Sequence, residues 1–190
     1  MRFTRTLAAF ALGAMLAAPA VYAQQVKDIL TKSDQKIDSA DASAMKQLAQ
    51  DNINEIAAGK AAAAKAQNPQ VKQFAQKMAT DHQQMLTELQ KLAKSKDVAL
   101  PTSGSLKDQA QMKIMEKTAG ADFDKKYMEQ MVKDHQKDVQ ATQELATKAK
   151  DPQFKAAVQK AHAKIQEHLA LAQRIASQTG AAAGGTSSKK

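Results

Sequence analysis

Apolar side chains recur at steps of three and four residues along four long segments of this chain. The pattern is clearest over 69–97, where the face consists of Val71, Phe74, Ala75, Met78, His82, Met85, Leu89 and Leu92. Such steps place side chains on one face of an α-helix, which has about 3.6 residues per turn. Gly and Pro number only seven and four in 190 residues, a composition that favours helices over sheets. The sequence therefore predicts an all-α protein.

Two turns that contain proline mark where predicted helices begin. Asn68-Pro69 and Asp151-Pro152 each combine an N-cap residue with a proline suited to the first helical position. The predicted helices cover about 40–66, 69–97, 122–149 and 152–178. We expect Asp41 or Ser39 to cap the first of them.

The stretch between the second and third helices, about 98–121, is long enough to travel back along a bundle. It carries a short amphipathic piece over about 106–117. Ferritin-like folds have a single long crossover of this kind, between helices that run parallel. We therefore predict a ferritin-like four-helix bundle with a long crossover that carries a short helix between helices 2 and 3.

The first 23 residues have the pattern of a secretory signal peptide. Arg2 and Arg5 precede an apolar stretch over 7–18, and Val21-Tyr22-Ala23 resembles a cleavage site. We expect a signal peptide over 1–23, a polar linker over 24–39, the bundle domain over 40–178 and a disordered tail over 179–190. The absence of Cys fits export to an oxidising compartment, and we expect a periplasmic protein, with outer-membrane association left open.

The formal net charge of +9 does not indicate nucleic-acid binding. Lys residues are spread along every predicted helix among Asp, Glu and Gln, and the mature chain keeps few aromatic residues for stacking. No later stretch is apolar enough to span a membrane, so only peripheral association with anionic envelope polymers stays open. Covalent catalysis has no support, because Cys, a nucleophile elbow and phosphate-binding glycine loops are all missing from the sequence. The oligomeric state is left open.

An internal repeat relates the two halves of the chain. The run from Asn68 to Lys72 is similar to the run from Asp151 to Lys155, at an offset of 151 − 68 = 83 residues. The same offset pairs Glu55 with Asp138. A second similarity joins helices 2 and 3, where Met78-x-x-Asp81-His82-Gln83 matches Met131-x-x-Asp134-His135-Gln136.

Five residues whose side chains can bind metal ions lie at similar distances along the sequence from the two turns. They are Glu55, His82, His135, Asp138 and His168. If both hairpin turns lie at one end of the bundle, these residues lie within about four residues, or roughly 6 Å, of one level. We associate this arrangement with parallel helices 2 and 3.

Imidazole and carboxylate groups from facing helices are how bundle cores hold metal, and this set suits zinc, iron, manganese or copper. The Glu-x-x-His pairs of di-iron proteins are absent, since Ala79, Val132 and Ile165 stand three residues before the histidines. The sequence thus predicts at most one ion, and more readily a binding protein than an enzyme.

The alternative is that these groups only satisfy one another in a buried polar network, in an envelope-associated structural or adaptor protein. Near the five residues, Asp81 and Asp134 are expected at the surface or as caps, and His162 as partly exposed. Met78, Met85 and Met131 are interpreted as core residues, with copper ligation as the minor alternative.

Four motifs of the chain together resemble a known family: the run from Gly120 through Val139, Glu55-Ile56-Ala57-Ala58-Gly59-Lys60, Met78-x-x-Asp81-His82 and His168-Leu169. They resemble the domain-of-unknown-function family 4142, and the resemblance covers nearly all of 40–178. It implies an exported bacterial protein of ferritin-like architecture, of a kind often labelled as outer-membrane protein and without an assigned activity. Thr142 stands where the resemblance leads us to expect Phe, a departure expected to weaken packing without touching a candidate ligand.

Overall fold

The computed structural model describes residues 37–105 and 117–181. Within them the chain forms four helices and no strand: α1 Ser39–Lys65, α2 Pro69–Ser95, α3 Gly120–Lys148 and α4 Pro152–Gln178. The prediction of an all-α four-helix bundle is confirmed. The predicted signal peptide, most of the linker, nearly all of the short crossover helix and the tail beyond 181 lie outside the described residues.

The predicted caps of α2 and α4 are present. The side chain of Asn68 accepts hydrogen bonds from the N–H groups of Gln70 and Val71, and Asp151 does the same for Gln153 and Phe154. A proline follows each cap at the start of the helix. These side chains satisfy backbone donors that the first helical turn leaves without a partner.

The predicted cap of α1 is wrong, because Asp38 caps this helix by accepting a hydrogen bond from Ala40 N at 2.8 Å. Asp41 instead points into the protein, where it is 3% exposed. The folded unit also includes Ile37, which is buried although the sequence predicts linker there, and Ala181, which is buried although the sequence predicts tail. Both residues pack against the apolar clusters described below.

Two buried carboxylates show how the helices run. Asp124, in the first turns of α3, accepts a hydrogen bond from Asn68 N at 2.7 Å, so α3 begins beside the start of α2. Asp41, at the start of α1, accepts one from Asp151 N at 2.7 Å, so α4 begins beside the start of α1. Consequently α2 and α3 run parallel, as expected, in the connectivity of ferritin-like bundles.

The two hairpin turns lie at opposite ends of the bundle, so their expected position at one end is wrong. This follows from the parallel direction of α2 and α3. The first turn lies where α2 begins, whereas the second turn lies where α3 ends, so the two turns are at opposite ends. The five candidate ligands nevertheless share one level. The helices have 27 to 29 residues, and a residue 13 to 17 positions from a turn is near the middle when counted from either end.

The core consists of two apolar clusters, one toward each end. The Phe74 cluster contains Ala62, Ala66, Val71, Phe74, Ala75, Met78, Phe123, Tyr127, Met128, Met131, Val132, Ala172, Ile175, Ala176 and Ala181. The Phe154 cluster contains Ile37, Met45, Ala49, Ile56, Leu86, Leu89, Ala93, Ala149, Phe154 and Val158. On α2, His82 stands between Met78 of the first cluster and Leu86 of the second. The candidate site is therefore a polar layer between the two apolar clusters.

Gly59 brings α1 and α2 close together beside this layer. A Cβ atom at this position would lie 2.8 Å from Ala75 O and 2.8 Å from Ala79 N, which is closer than a side chain tolerates. The absence of a side chain thus lets the two backbones approach each other. Glu55 and Asn52 stand one and two turns earlier on α1, so the close approach holds them near α2.

Candidate metal centre

Three histidines from three helices meet in the middle of the bundle. His82 on α2, His135 on α3 and His168 on α4 are 4%, 0% and 0% exposed. Their ring centroids lie 5.3 to 5.9 Å apart. One ring nitrogen of each lies within 4.8 Å of one from each of the others. This spacing suits three ligands around a single ion.

Each ring has one nitrogen beside a hydrogen-bond acceptor from outside the triad. The three pairs are His82 Nδ1 with Asn52 Oδ1 at 3.0 Å, His135 Nδ1 with Met131 O at 3.0 Å, and His168 Nε2 with Asp81 Oδ2 at 2.8 Å. Carbonyl and carboxylate oxygens only accept, so each of these nitrogens carries the hydrogen and donates it. The tautomer of each neutral ring follows from this pairing.

The second nitrogen of each ring is buried and has no hydrogen-bond partner among the described residues. These atoms are Nε2 of His82, Nε2 of His135 and Nδ1 of His168. In the neutral tautomers just assigned, each of them carries a lone pair. Histidines that ligate metal ions usually have this arrangement, in which the far ring nitrogen donates to a carboxylate or carbonyl and orients the ligand.

Electrostatics keep the three rings uncharged at neutral pH. Burial lowers the pKa of His82 well below its ordinary value of 6.5, and the neighbouring His135 and His168 lower it further. Burial likewise lowers the pKa of His135 to about 4. For His168 burial lowers the pKa despite the carboxylate of Asp81 beside it. Neutral imidazole is the form that binds metal.

Two carboxylates adjoin the histidines on the α1 and α3 side. One ligand atom from each of Glu55, His135 and Asp138 lies within 4.8 Å of the other two, so His135 belongs to both groups of three. Burial, followed by repulsion from Asp51 and Asp134, raises the pKa of Asp138 to about 7. A cation in this layer would favour the ionised carboxylate.

All five side chains that the sequence predicted as ligands therefore come together in one layer, in two overlapping groups of three. His162 is partly exposed, as expected, with Nδ1 2.9 Å from Thr142 Oγ1. Asp134 lies near the surface, as expected, where it contacts Gln130 and Lys137.

The expectation for Asp81 is wrong, because this residue is the hydrogen-bond acceptor of His168. Its carboxylate also pairs with Lys77 at 2.7 Å. Burial alone would raise the pKa of Asp81, but the hydrogen bonds from Lys77 and His168 outweigh it and lower the pKa. Asp81 is therefore a charged acceptor that orients an imidazole from across the α2–α4 interface.

Thr142 contacts the candidate ligand Asp138 through the backbone only. Its hydroxyl donates to the backbone oxygen of Asp138 at 2.6 Å, and the residue is only 2% exposed. Met78 and Met131 agree with their interpretation as core residues, since both are buried members of the Phe74 cluster, whereas Met85 is only half-buried and belongs to neither cluster.

Two further residues belong to the layer and were missed from the sequence. Asn52 on α1 orients His82, and its own amide donates to Leu48 O at 2.7 Å, which determines which end of the amide faces the ring. The repeat offset pairs Asn52 with His135, a signal that could have found it. The Tyr127 hydroxyl is buried without a hydrogen-bond partner among the described residues. Burial raises the pKa of Tyr127 well above 10, and Glu55 raises it further.

The donor set defines a class of site: a buried centre of three neutral imidazoles with adjacent carboxylates, inside a four-helix bundle. Imidazole suits zinc, copper, iron and nickel, and carboxylates extend the range to manganese. The residues present thus fit a divalent transition-metal ion.

The chain belongs to the family described as Domain of unknown function (DUF4142), whose model matches residues 22–175. The resemblance seen in the sequence is thereby confirmed. No curated protein matches the chain in sequence.

A crystal structure of a candidate spore coat protein from Bacillus halodurans C-125 has a similar fold. The TM-score is 0.68 at 9% sequence identity, and the match covers 84% of this chain and 99% of that one. At this identity the similarity shows the fold alone. Among the described residues, no helix combines the length and apolar character needed to cross a lipid bilayer.

Proposed function

We propose that this protein binds one divalent transition-metal ion in the middle of its bundle. His82, His135 and His168 would supply the ligands, with Glu55 and Asp138 as further ligands or as the carboxylates that balance the charge. The observation that carries the proposal is the set of three buried, unpartnered ring nitrogens in rings that are all oriented by outside acceptors.

The same observation argues against a polar network that satisfies itself. Leaving one buried polar group without a partner costs about 1–3 kcal/mol. In a network whose only role is structural, each buried ring nitrogen would have a hydrogen-bond partner. Here one nitrogen of each ring donates to an acceptor outside the triad, and the other keeps a lone pair that has no partner among the described residues.

The proposed role is binding of the ion rather than di-metal chemistry. The bridging carboxylates of Glu-x-x-His pairs are missing, as the residues Ala79, Val132 and Ile165 show. Zinc, iron, manganese and copper all suit nitrogen and carboxylate ligands, and their relative supply in the cell would decide which ion is bound.

We also propose that the protein is exported to the periplasm. Support comes from the basic, apolar and small-residue segments of the first 23 residues and from the lack of Cys. The test is cell fractionation together with N-terminal sequencing of the mature chain. A mature protein that starts at Gln24 in the periplasmic fraction agrees with the proposal, and an uncleaved cytoplasmic chain contradicts it.

The metal proposal is tested by elemental analysis of protein purified from its native compartment without chelator or affinity tag. We expect near one metal ion per chain in the wild type and little in a His82→Ala/His168→Ala double variant. His162→Ala is the matched control, because this fourth histidine is partly exposed and lies outside the triad. Circular dichroism verifies that the variants are folded.

One result would contradict the metal proposal directly. A wild type that is metal-free and whose melting temperature does not change with added zinc, copper, iron or manganese would overturn the metal proposal, because a ligand that binds only the folded state must stabilise it. The polar-network interpretation would then hold.

A further inference from the structure

A cavity of about 290 Å³ adjoins the metal centre on the side of the Phe154 cluster. Its walls are mostly apolar and come from all four helices: Leu48, Met85, Leu89, Thr142, Phe154, Val158 and Ile165 are among them. The volume is at the lower end of the range for small-molecule pockets, which are typically apolar with a few polar groups at one place.

At two positions of the repeat, the half that borders the cavity has alanine where the other half has a large side chain. The offset of 83 pairs Ala157 with Phe74 and Ala161 with Met78. Phe74 and Met78 are fully buried in the Phe74 cluster. Ala157 and Ala161 line the cavity instead. The small side chains at these two positions thus leave room for the cavity, although the same offset pairs Val71 with the larger Phe154.

The inner end of the cavity is shared with the metal centre. His82, Glu55 and Asp138 line it, and so do Asn52 and Asp81, which orient two of the imidazoles. His82 Nε2 is one of the three unpartnered nitrogens. A molecule in the cavity would consequently lie next to an ion held by the triad.

The charges along the cavity indicate what kind of molecule fits. Asp51 and Glu55 line its inner part, where they would repel a carboxylate ligand. Two lysines also line it, but Lys160 is paired with Glu88 at 2.8 Å and Lys164 with Glu167 at 2.7 Å, so neither favours anions strongly. The site favours an uncharged donor atom attached to an apolar body.

We infer that the cavity binds a small, mostly apolar molecule whose one uncharged nitrogen donor occupies an open position on the bound metal ion. If His82, His135 and His168 are the only protein ligands and Glu55 and Asp138 balance the charge, a position is left for an outside ligand, as at metal centres such as those of zinc. This inference rests on the proposed metal binding and extends it to the class of ligand.

The experiment uses the full chain loaded with cobalt(II), whose visible spectrum reports changes of coordination. The probes are 4-phenylimidazole, imidazole and benzoate. We expect 4-phenylimidazole to bind about 10- to 100-fold more tightly than imidazole, because its phenyl ring would be buried against the apolar walls. Benzoate should bind no more tightly than imidazole.

Ala161→Met and Ala157→Phe fill the cavity with the side chains of the opposite half. In these variants we expect the cobalt spectrum to be kept and the preference for 4-phenylimidazole to fall to about threefold or less. Ala156→Phe is the matched control, since Ala156 is exposed and does not line the cavity. Ala161→Met also stands alone as the milder variant, should the larger change disturb folding.

The outcomes separate the two proposals. Equal affinity for 4-phenylimidazole and imidazole in the wild type, or an unchanged preference in the filled variants, overturns the cavity inference and leaves metal binding intact. If cobalt gives no spectrum that depends on His82 and His168, the proposed function fails and the inference fails with it.

Discussion

The two ends of the bundle are built from equivalent segments but are packed differently. At one end Phe74 and Met78 are buried in a continuous cluster, whereas at the other their counterparts Ala157 and Ala161 border a cavity of about 290 Å³. The turns and their caps are the same at both ends. Capping depends on backbone geometry, while core packing depends on side-chain volume, so a repeated hairpin can keep the first and vary the second.

The two halves of the repeat also contribute different residues to the polar layer between the ends. The repeat places Glu55 opposite Asp138, so both halves contribute a carboxylate. The histidines have no such counterparts, because Ile165, Asn52 and Met85 stand at the positions equivalent to His82, His135 and His168. The candidate centre thus depends on sequence differences between the two halves, which two identical hairpins would not provide.

The largest difference between the ends should appear when an aromatic side chain is removed. We expect Phe74→Ala to lower the free energy of unfolding by about 3–5 kcal/mol, because it creates a void in a close-packed cluster. Phe154→Ala should cost about 1 kcal/mol less, since Phe154 already borders the cavity and has fewer contacts to lose. Urea denaturation of both variants measures this. Equal costs would show that the cavity does not loosen its end.

The two buried carboxylates that bind the hairpin turns should contribute equally to stability, although the two ends are packed differently. Asp41 and Asp124 are each 3% exposed, and each accepts hydrogen bonds from two backbone N–H groups of the other half. We expect Asp41→Ala and Asp124→Ala each to cost about 2 kcal/mol, within 1 kcal/mol of each other, because buried donors lose their partner. Thermal or urea unfolding provides the measurement. A much smaller cost at one end would contradict the structural repeat.

A pH-dependent comparison tests the middle layer. The pKa of Asp138 is raised from 3.8 to about 7, so the folded state binds a proton that the unfolded state releases between these values. The contribution of Asp138 to stability therefore falls as pH rises through this window and is lowest above pH 7. Asp138→Asn removes the effect, and we expect its advantage over the metal-free wild type to grow by about 2 kcal/mol from pH 5 to pH 8.

Urea denaturation at the two pH values, in the presence of a chelator, measures this change. The exposed Glu144→Gln variant is the control and should gain nothing between them. An advantage that is independent of pH would mean that Asp138 is not forced to keep its proton in the folded protein.

The smallest effect is expected from filling the cavity. Ala161→Met should raise the free energy of unfolding by about 0.5–1 kcal/mol, because it buries apolar surface in existing space. The same change at the exposed Ala156 should have little effect. Destabilisation by Ala161→Met would indicate that the cavity is too narrow for the side chain that fills the equivalent place.

Much of the bundle could be predicted from local patterns. Asn68-Pro69 and Asp151-Pro152 begin helices because the side-chain cap and the fixed proline φ act within a few residues. The level of His82 and His168 followed from counting along helices of known rise. The ends at which the two turns lie did not follow, because the number of residues from a turn is the same whichever end of the bundle the turn occupies. The five ligands share a level only because all of them are near the middle of long helices.

Asp81 and Asn52 show what local patterns miss. Asp81 is one position off the histidine face, which predicts the surface, yet its carboxylate reaches across to α4. Asn52 has an amide side chain, which is not a usual metal ligand, and its role appears only beside His82. Both contacts depend on how two helices are rotated against each other, and the sum of many packing contacts decides that rotation.

The sequence by itself determined the four helices, the caps of α2 and α4, the repeat and the set of five candidate ligands, because periodicity and capping act over a few residues. Only the tertiary structure decided the opposite positions of the turns, the acceptors that orient the imidazoles, the three unpartnered nitrogens and the cavity beside them. Apart from the acceptor of His135, which lies on the same helix, these features come from contacts between residues far apart in the sequence, such as His82 with Asn52 and Asp151 with Asp41. Such contacts exist only once the helices have packed.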